Sequence, residues 1–202
     1  MAPSARFQSS VKPDKYRVLA VCERLAAAYP ETHLGNKANP LDEYLYIMLS
    51  LRTHEPGLLS SYSRFKQAFP SWACAAAASK RQIERAIAGG GLARQKAERI
   101  KKAMRHIQAE FGEISLRQLR KMERADAERV LLQLPGVGIK SAKCIMMYSL
   151  GFDVLPVDVH VARIARRLGW IGAASTSKMQ ETLERLIPPG RRLAFHVNCV
   201  QH

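Results

Sequence analysis

The run Leu134-Pro135-Gly136-Val137-Gly138-Ile139-Lys140-Ser141-Ala142 holds the residue types in this chain best suited to chemistry. Two glycines two residues apart let the backbone take positive φ and turn tightly while aiming consecutive N–H groups outward. A helix expected over 139–150 starts directly afterwards, so its unpaired amides and positive dipole end add to the same spot. The product is a socket without side chains, suited to a phosphate, and such contacts hold a duplex by its backbone without reading its bases. An ordinary turn between helices would need only one glycine. Lys140 falls in the first turn of that helix, and Asp158 follows 18 positions later within Pro156-Val157-Asp158-Val159-His160.

These residues have to be positioned by helices. Apolar residues recur near every 3.6 positions along the chain and alternating β-branched runs are few, which predicts a nearly all-helical protein. Helices are expected at about 15–29, 41–51, 56–69, 72–78, 80–88, 93–111, 115–122, 125–132, 139–150 and 159–168. Ser79 is a candidate cap for the fifth, and Gly89-Gly90-Gly91 is the loosest point of the chain. The helix over 93–111 carries Arg94, Lys96, Arg99, Lys101, Lys102 and Arg105 around an apolar stripe of Ala97, Ile100, Met104 and Ile107. A charge run on a helix is most often a solvated face.

In 202 residues, 32 Lys and Arg stand against 17 Asp and Glu, a formal net charge of +15 that points to a polyanionic partner. With 47% hydrophobic residues the chain can fill a core, which excludes a disordered basic tail. No stretch approaches the roughly 18 apolar residues of a membrane span, and the first ten residues read as a frayed start rather than a secretory signal. A soluble intracellular protein without membrane partners is expected. The four cysteines, Cys22, Cys74, Cys144 and Cys199, lie dozens of residues apart with no C-x-x-C, so they are expected to be buried hydrophobes rather than metal ligands.

Leu134-Pro135-Gly136-Val137-Gly138 resembles the helix–hairpin–helix element, with Val137 as its apolar plug. The hairpin, Lys140 and an aspartate within Pro-Val-Asp-Val-His together resemble the endonuclease III branch of the helix–hairpin–helix DNA glycosylase superfamily. The resemblance extends more weakly from about Asn39 to the last residue. It implies an all-α, bilobal fold: a six-helix bundle over 36–150 with the hairpin, and a second helical domain built from 1–35 and 151–202 that carries Asp158. Duplex DNA with a damaged base or abasic site would lie in a positive cleft, with Lys140 and Asp158 facing each other across it.

The same resemblance implies the chemistry. Breaking an N-glycosidic bond develops positive charge on the sugar, which a carboxylate near C1′ stabilises; Asp158 takes that role, compatible with a second one as a helix cap. Lys140 would attack C1′, form a Schiff base and promote β-elimination of the 3′ phosphate. A free lysine titrates near pH 10.4, so an active one must lose its proton more easily; the helix dipole and partial burial push that way, while the Asp158 charge pushes back. Two positions correspond to the residues that fill the duplex beside a flipped nucleotide: Arg52 in Ser50-Leu51-Arg52-Thr53-His54-Glu55, where relatives carry glutamine, and Leu92 of Gly91-Leu92. Leu92 could equally pack as a staple at a helix start. Arg163 is a candidate backbone contact, and His160 is expected to be structural.

Many members of this branch end in four cysteines that hold an iron–sulfur cluster. This sequence stops at Asn198-Cys199-Val200-Gln201-His202, so it is either a cluster-free member or cut short, and no metal or organic cofactor is expected. The expected protein is a monomeric glycosylase and abasic-site lyase acting on an oxidised pyrimidine. It would reside in the nucleoid of a bacterium or the nucleus of a eukaryote. The alternatives are a helix–hairpin–helix protein that binds DNA without cutting it, and a glycosylase without lyase activity.

Overall fold

A computed structural model describes residues 13–30, 34–89, 91–172 and 175–202. The opening ten residues and Gly90 of the triple glycine lie outside the described residues. Among those described the chain is helical and contains no strand, as the 3.6-residue periodicity implies, and no helix is long and apolar enough to cross a membrane. It divides into two compact units, one formed by Gly35–Phe152 and the other by the described part of Met1–Leu34 with Asp153–His202.

Helix α1, Lys15–Ala28, belongs to the second of these. The first unit is organised around α2, Pro40–Ser50. The Asn39 carboxamide accepts the N–H groups of Leu41 and Asp42, and Pro40 supplies a preset φ in the first turn, so the helix starts sharply. Leu41, Tyr44, Leu45 and Met48 are completely buried, and the helix packs against α3 (Glu55–Ala68), α6 (Ala93–Phe111) and α8 (Ile139–Ile145). Between them run α4, Trp72–Ala77, and α5, Lys80–Ala86; Ser79 caps the latter in a full capping box with Gln82. The segment expected as a helix near 115–122 is a single 3-10 turn, Arg117–Lys121, before α7, Arg124–Gln133.

The helix expected over 139–150 is not uniform. Its last turn, Met146–Leu150, widens to π geometry and ends at Gly151 in the left-handed region. The Arg120 guanidinium captures the Ser149 carbonyl at 2.7 and 3.1 Å, and the Ser149 hydroxyl donates to Lys37 O at 2.6 Å. The polar groups of the loosened turn thus find partners outside the helix.

In the second unit α1 is joined by α9 (Val159–Arg167), α10 (Thr176–Leu186) and α11 (Arg192–Gln201). Val18, Cys22, Val161, Ala165, Leu183 and Phe195 form its core, with Trp170 stacked on Phe195 at 6.1 Å and Leu186 at the edge. The spacing of Val18, Cys22 and Leu25 lays one stripe of α1 onto that core.

Candidate functional site

The hairpin joins α7 to α8. The Val137 amide donates to Leu134 O at 3.1 Å, and both side chains are buried, so the turn is pinned to the core while its glycines stay exposed. Gly136 has φ +83°, and a methyl group there would meet Met48 Sδ at 2.9 Å and Arg99 Cδ at 3.1 Å. The buried Tyr44 hydroxyl donates to Pro135 O at 3.0 Å and braces the turn from below. Gly138 departs from expectation. Its φ is −105°, ordinary extended backbone at the N-cap of α8, and nothing lies within 4 Å of a methyl built on it. Only one of the two glycines is therefore demanded by conformation; the other keeps the outer face bare. Gly136→Ala is expected to cost about 1–3 kcal/mol of stability, and Gly138→Ala no more than about 1 kcal/mol, measured by denaturant melts.

Lys140 is exposed in the first turn of α8, so the partial burial expected of it is absent. Its charge acts on Glu43, a fully buried carboxylate on α2. Glu43 accepts from Asn36 Nδ2 at 2.6 Å and from the Lys37 amide at 2.7 Å. Desolvation pushes the Glu43 pKa up, against those hydrogen bonds and the charges of Lys37 and Lys140. Because the folded pKa exceeds the unfolded value of 4.5, the folded state holds the proton longer. Stability must fall as pH rises from 4.5 through the raised folded pKa. Glu43→Gln is expected to flatten that part of the stability–pH curve, followed as the denaturant midpoint across pH 4–8. Beyond Glu43, Lys37 Nζ sits over the rings of Tyr46 and Tyr62 at 4.4 and 4.9 Å.

Arg52 and Leu92 are the two non-glycine residues with positive φ among those described, at 51° and 53°. Gly91 brings their loops together, because a methyl group on it would meet Arg52 O at 3.1 Å. Leu92 is 43% exposed at the start of α6, so it does not act as a staple. Holding two ordinary side chains in the left-handed region costs energy that surrounding contacts must offset. Lys96 supplies such contacts. Although the charge pattern places it on a solvated face, it is 2% exposed, and its ammonium donates to Leu49 O at 2.7 Å and Thr53 Oγ1 at 2.6 Å. Burial pushes its pKa down. Lys96→Met leaves these acceptors without that donor and is expected to cost about 1–3 kcal/mol, read as a lower denaturant midpoint at unchanged slope.

Asp158 lies in the second unit as the N-cap of α9, where Oδ1 accepts from the His160 and Val161 amides at 2.9 and 2.8 Å. The segment leading into it is fixed by buried polar side chains. The Gln180 amide donates to Leu155 O and its oxygen accepts from the Val157 amide at 3.2 Å; His196 Nδ1 lies 2.9 Å from Pro156 O. Downstream on α9, Arg163 is half-buried, and its Nε and His160 Nδ1 have no hydrogen-bond partner among the described residues.

Residues 47–189 match the sequence pattern of the HhH-GPD superfamily of base excision DNA repair proteins. The chain belongs to that superfamily. It is 36% identical over 161 residues to a putative DNA glycosylase of Arabidopsis thaliana, an alignment covering 79% of this chain and 54% of that protein. It is 27% identical over 168 residues to the endonuclease III of Thermotoga maritima, covering 83% and 74% of the two chains. The chain therefore spans about half the length of the Arabidopsis relative and about three quarters of the Thermotoga one. The fold matches an endonuclease III solved in a non-covalent complex with DNA, with a TM-score of 0.77 at 23% identity over 93% of this chain and 85% of that one.

An iron–sulfur cluster such as the sequence resemblance raises does not fit the described residues. Cys22 and Cys199 are buried in the second unit, where burial pushes the Cys199 thiol up to about 12; in the first unit Cys144 is buried, but Cys74 is exposed on the short helix α4, against the burial expected of all four. A cluster needs four thiolates around one centre, and among the described residues no group of three or more His, Cys, Asp or Glu is placed to hold a metal ion.

The supporting residues, Tyr44, Glu43, Lys96, Gln180 and His196, were not legible as such in the sequence. Each is a polar residue on an apolar-patterned helix, which signals burial with a partner but does not name the partner.

Proposed function

We propose that this superfamily member is a DNA glycosylase with abasic-site lyase activity, acting on an oxidised pyrimidine in duplex DNA. The observation that carries the reading is Lys140: an exposed amine with no hydrogen-bond or ion-pair partner among the described residues, two residues after the last glycine of a hairpin whose outer face is bare backbone. With no other partner among the described residues, its Nζ is free to reach the sugar of a duplex whose phosphate the hairpin holds, the position from which a lysine forms a Schiff base. The hairpin, plugged by Val137 and turned at Gly136 and Gly138, would hold the backbone. Arg52 and Leu92 would fill the space of the extruded nucleotide, and Arg163 would add a backbone contact.

In this reaction the Lys140 nitrogen bonds to C1′ as the C1′–N bond breaks, and the base leaves with that electron pair. Asp158 stabilises the positive charge that develops on the sugar. Ring opening gives the iminium, loss of a C2′ proton expels the 3′ phosphate, and water releases the lysine. The chemistry uses no metal or organic cofactor, and a monomer suffices for it.

Borohydride trapping on an abasic-site duplex tests the reading. A covalent adduct that disappears in Lys140→Ala is expected; no adduct, or an undiminished one in that variant, overturns the lyase. Duplexes each carrying a single lesion, scored for base release and for nicking, test the substrate, and base release without nicking would mark a glycosylase alone.

A further inference from the structure

The net charge of +15 is not spread evenly. Of the six basic residues on α6, Lys96 is buried, and Lys101 donates to Ala76 O and Ala78 O at 2.5 and 2.7 Å, closing the end of α4. Lys102 pairs with Glu98 at 2.9 Å, and on α7 Arg129 pairs with Asp126 at 2.5 Å. The helix that looks most like a nucleic-acid face in sequence thus commits half of its cations to structure.

The unpaired charge gathers elsewhere. Between α5 and the start of α6 lies an open hollow of about 770 Å³ walled by Lys80, Arg81, Arg85 and Arg94, with Glu84 the one acid on its wall. All four cations are exposed and none makes a hydrogen bond or close ion pair among the described residues, although Glu98, paired with Lys102, also acts at longer range on Lys80 and Arg94. Arg81 and Arg85 stand four apart on one helix stripe, an arrangement that repels rather than stabilises. Glu84 stands four residues from Lys80 on the same helix, yet forms no ion pair there of the kind that Glu98 makes with Lys102. A second hollow, of about 630 Å³, shares Arg85 and carries Arg64 on its wall, where the Arg64 guanidinium is tied to Ala88 O, so the concave track continues around α5 with Arg85 as its free cation. A concave wall of like charges focuses its field into the space it encloses. The hollow also adjoins the loop of Leu92, since Gly89 and Ala93 on either side of that residue form part of its wall.

We infer that this track is a second DNA-backbone site, holding phosphates of the duplex beside the point where Leu92 enters it. The inference rests on the DNA reading above and extends the footprint from the hairpin to α5. It takes phosphodiesters rather than bases, because its wall presents four cations and no aromatic side chain on which a base could stack. Its contribution is sequence-blind and salt-sensitive.

The test is Arg81→Gln with Arg85→Gln in the full chain, which keeps helix propensity and stem packing. Binding to an abasic-site duplex and to an undamaged duplex is titrated across salt concentrations. The matched control is Arg117→Gln with Lys121→Gln on the exposed 3-10 turn. The expected result is a loss of about tenfold on both duplexes, a salt slope reduced by about 2, and less than about half of either change in the control. Affinity and slope equal to wild type, or equal losses in both double variants, overturn the inference while the DNA reading stands. A wild-type chain that binds neither duplex removes the DNA reading and the inference together.

Discussion

Lys140→Ala is expected to lower strand nicking by about 10³-fold or more and to abolish borohydride trapping. Affinity for an abasic-site duplex should stay within about fivefold, because the hairpin and the cationic track hold the backbone without this side chain. Nothing in the fold leans on Lys140: its ammonium is exposed and bonded to no described residue, so the melting temperature should be unchanged. Lys140→Arg separates charge from nucleophilicity. The guanidinium retains the positive charge at all working pH values and cannot give up a proton to become a nucleophile, so this variant should bind like wild type and nick like Lys140→Ala. A phosphate-binding role alone predicts the opposite, an arginine variant that keeps its activity. The measurements are single-turnover nicking and filter binding on one substrate.

Asp158→Asn is the second large effect. The carboxylate caps α9 through two backbone amides, and asparagine caps a helix about as well as aspartate, so stability should change by no more than about 0.5 kcal/mol. Base release should nevertheless fall by about 10²–10⁴-fold, because the neutral amide no longer opposes the positive charge that develops on the sugar. Asp158→Ala should lose both roles, adding about 1 kcal/mol of destabilisation. Activity in Asp158→Asn within a few-fold of wild type would reduce the residue to a cap. Base release from a lesion duplex, followed beside thermal melts of the three proteins, reads the two roles separately.

The hairpin shows how far residue types alone carry. Gly-x-Gly between two helical patterns announced a tight turn, but positive φ was needed only at Gly136, where Met48 and Arg99 close in from other helices. Two glycines are identical in sequence, and only their neighbours in space tell them apart. Arg52 and Leu92 were found by resemblance to family positions, whereas the strain they share arises from a loop crossing at Gly91 that sequence order does not contain. Periodicity located α6 to the residue, yet it put Lys96 with the solvated charges. The side chain lies at the margin of the apolar stripe, and which way it turns depends on the Leu49 carbonyl of α2 and the Thr53 hydroxyl just beyond it.

By itself, then, the sequence determined the helical character of the chain and its hairpin, because periodicity and turn chemistry are local properties. Tertiary structure decided which charges are free. Burial turned Lys96 and Glu43 into supports, and carbonyls of α4 occupied Lys101. The cations of α5, unremarkable in sequence, came to share one hollow with Arg94. Charge is counted along the chain, but its availability is set by distances between residues that the chain order keeps apart.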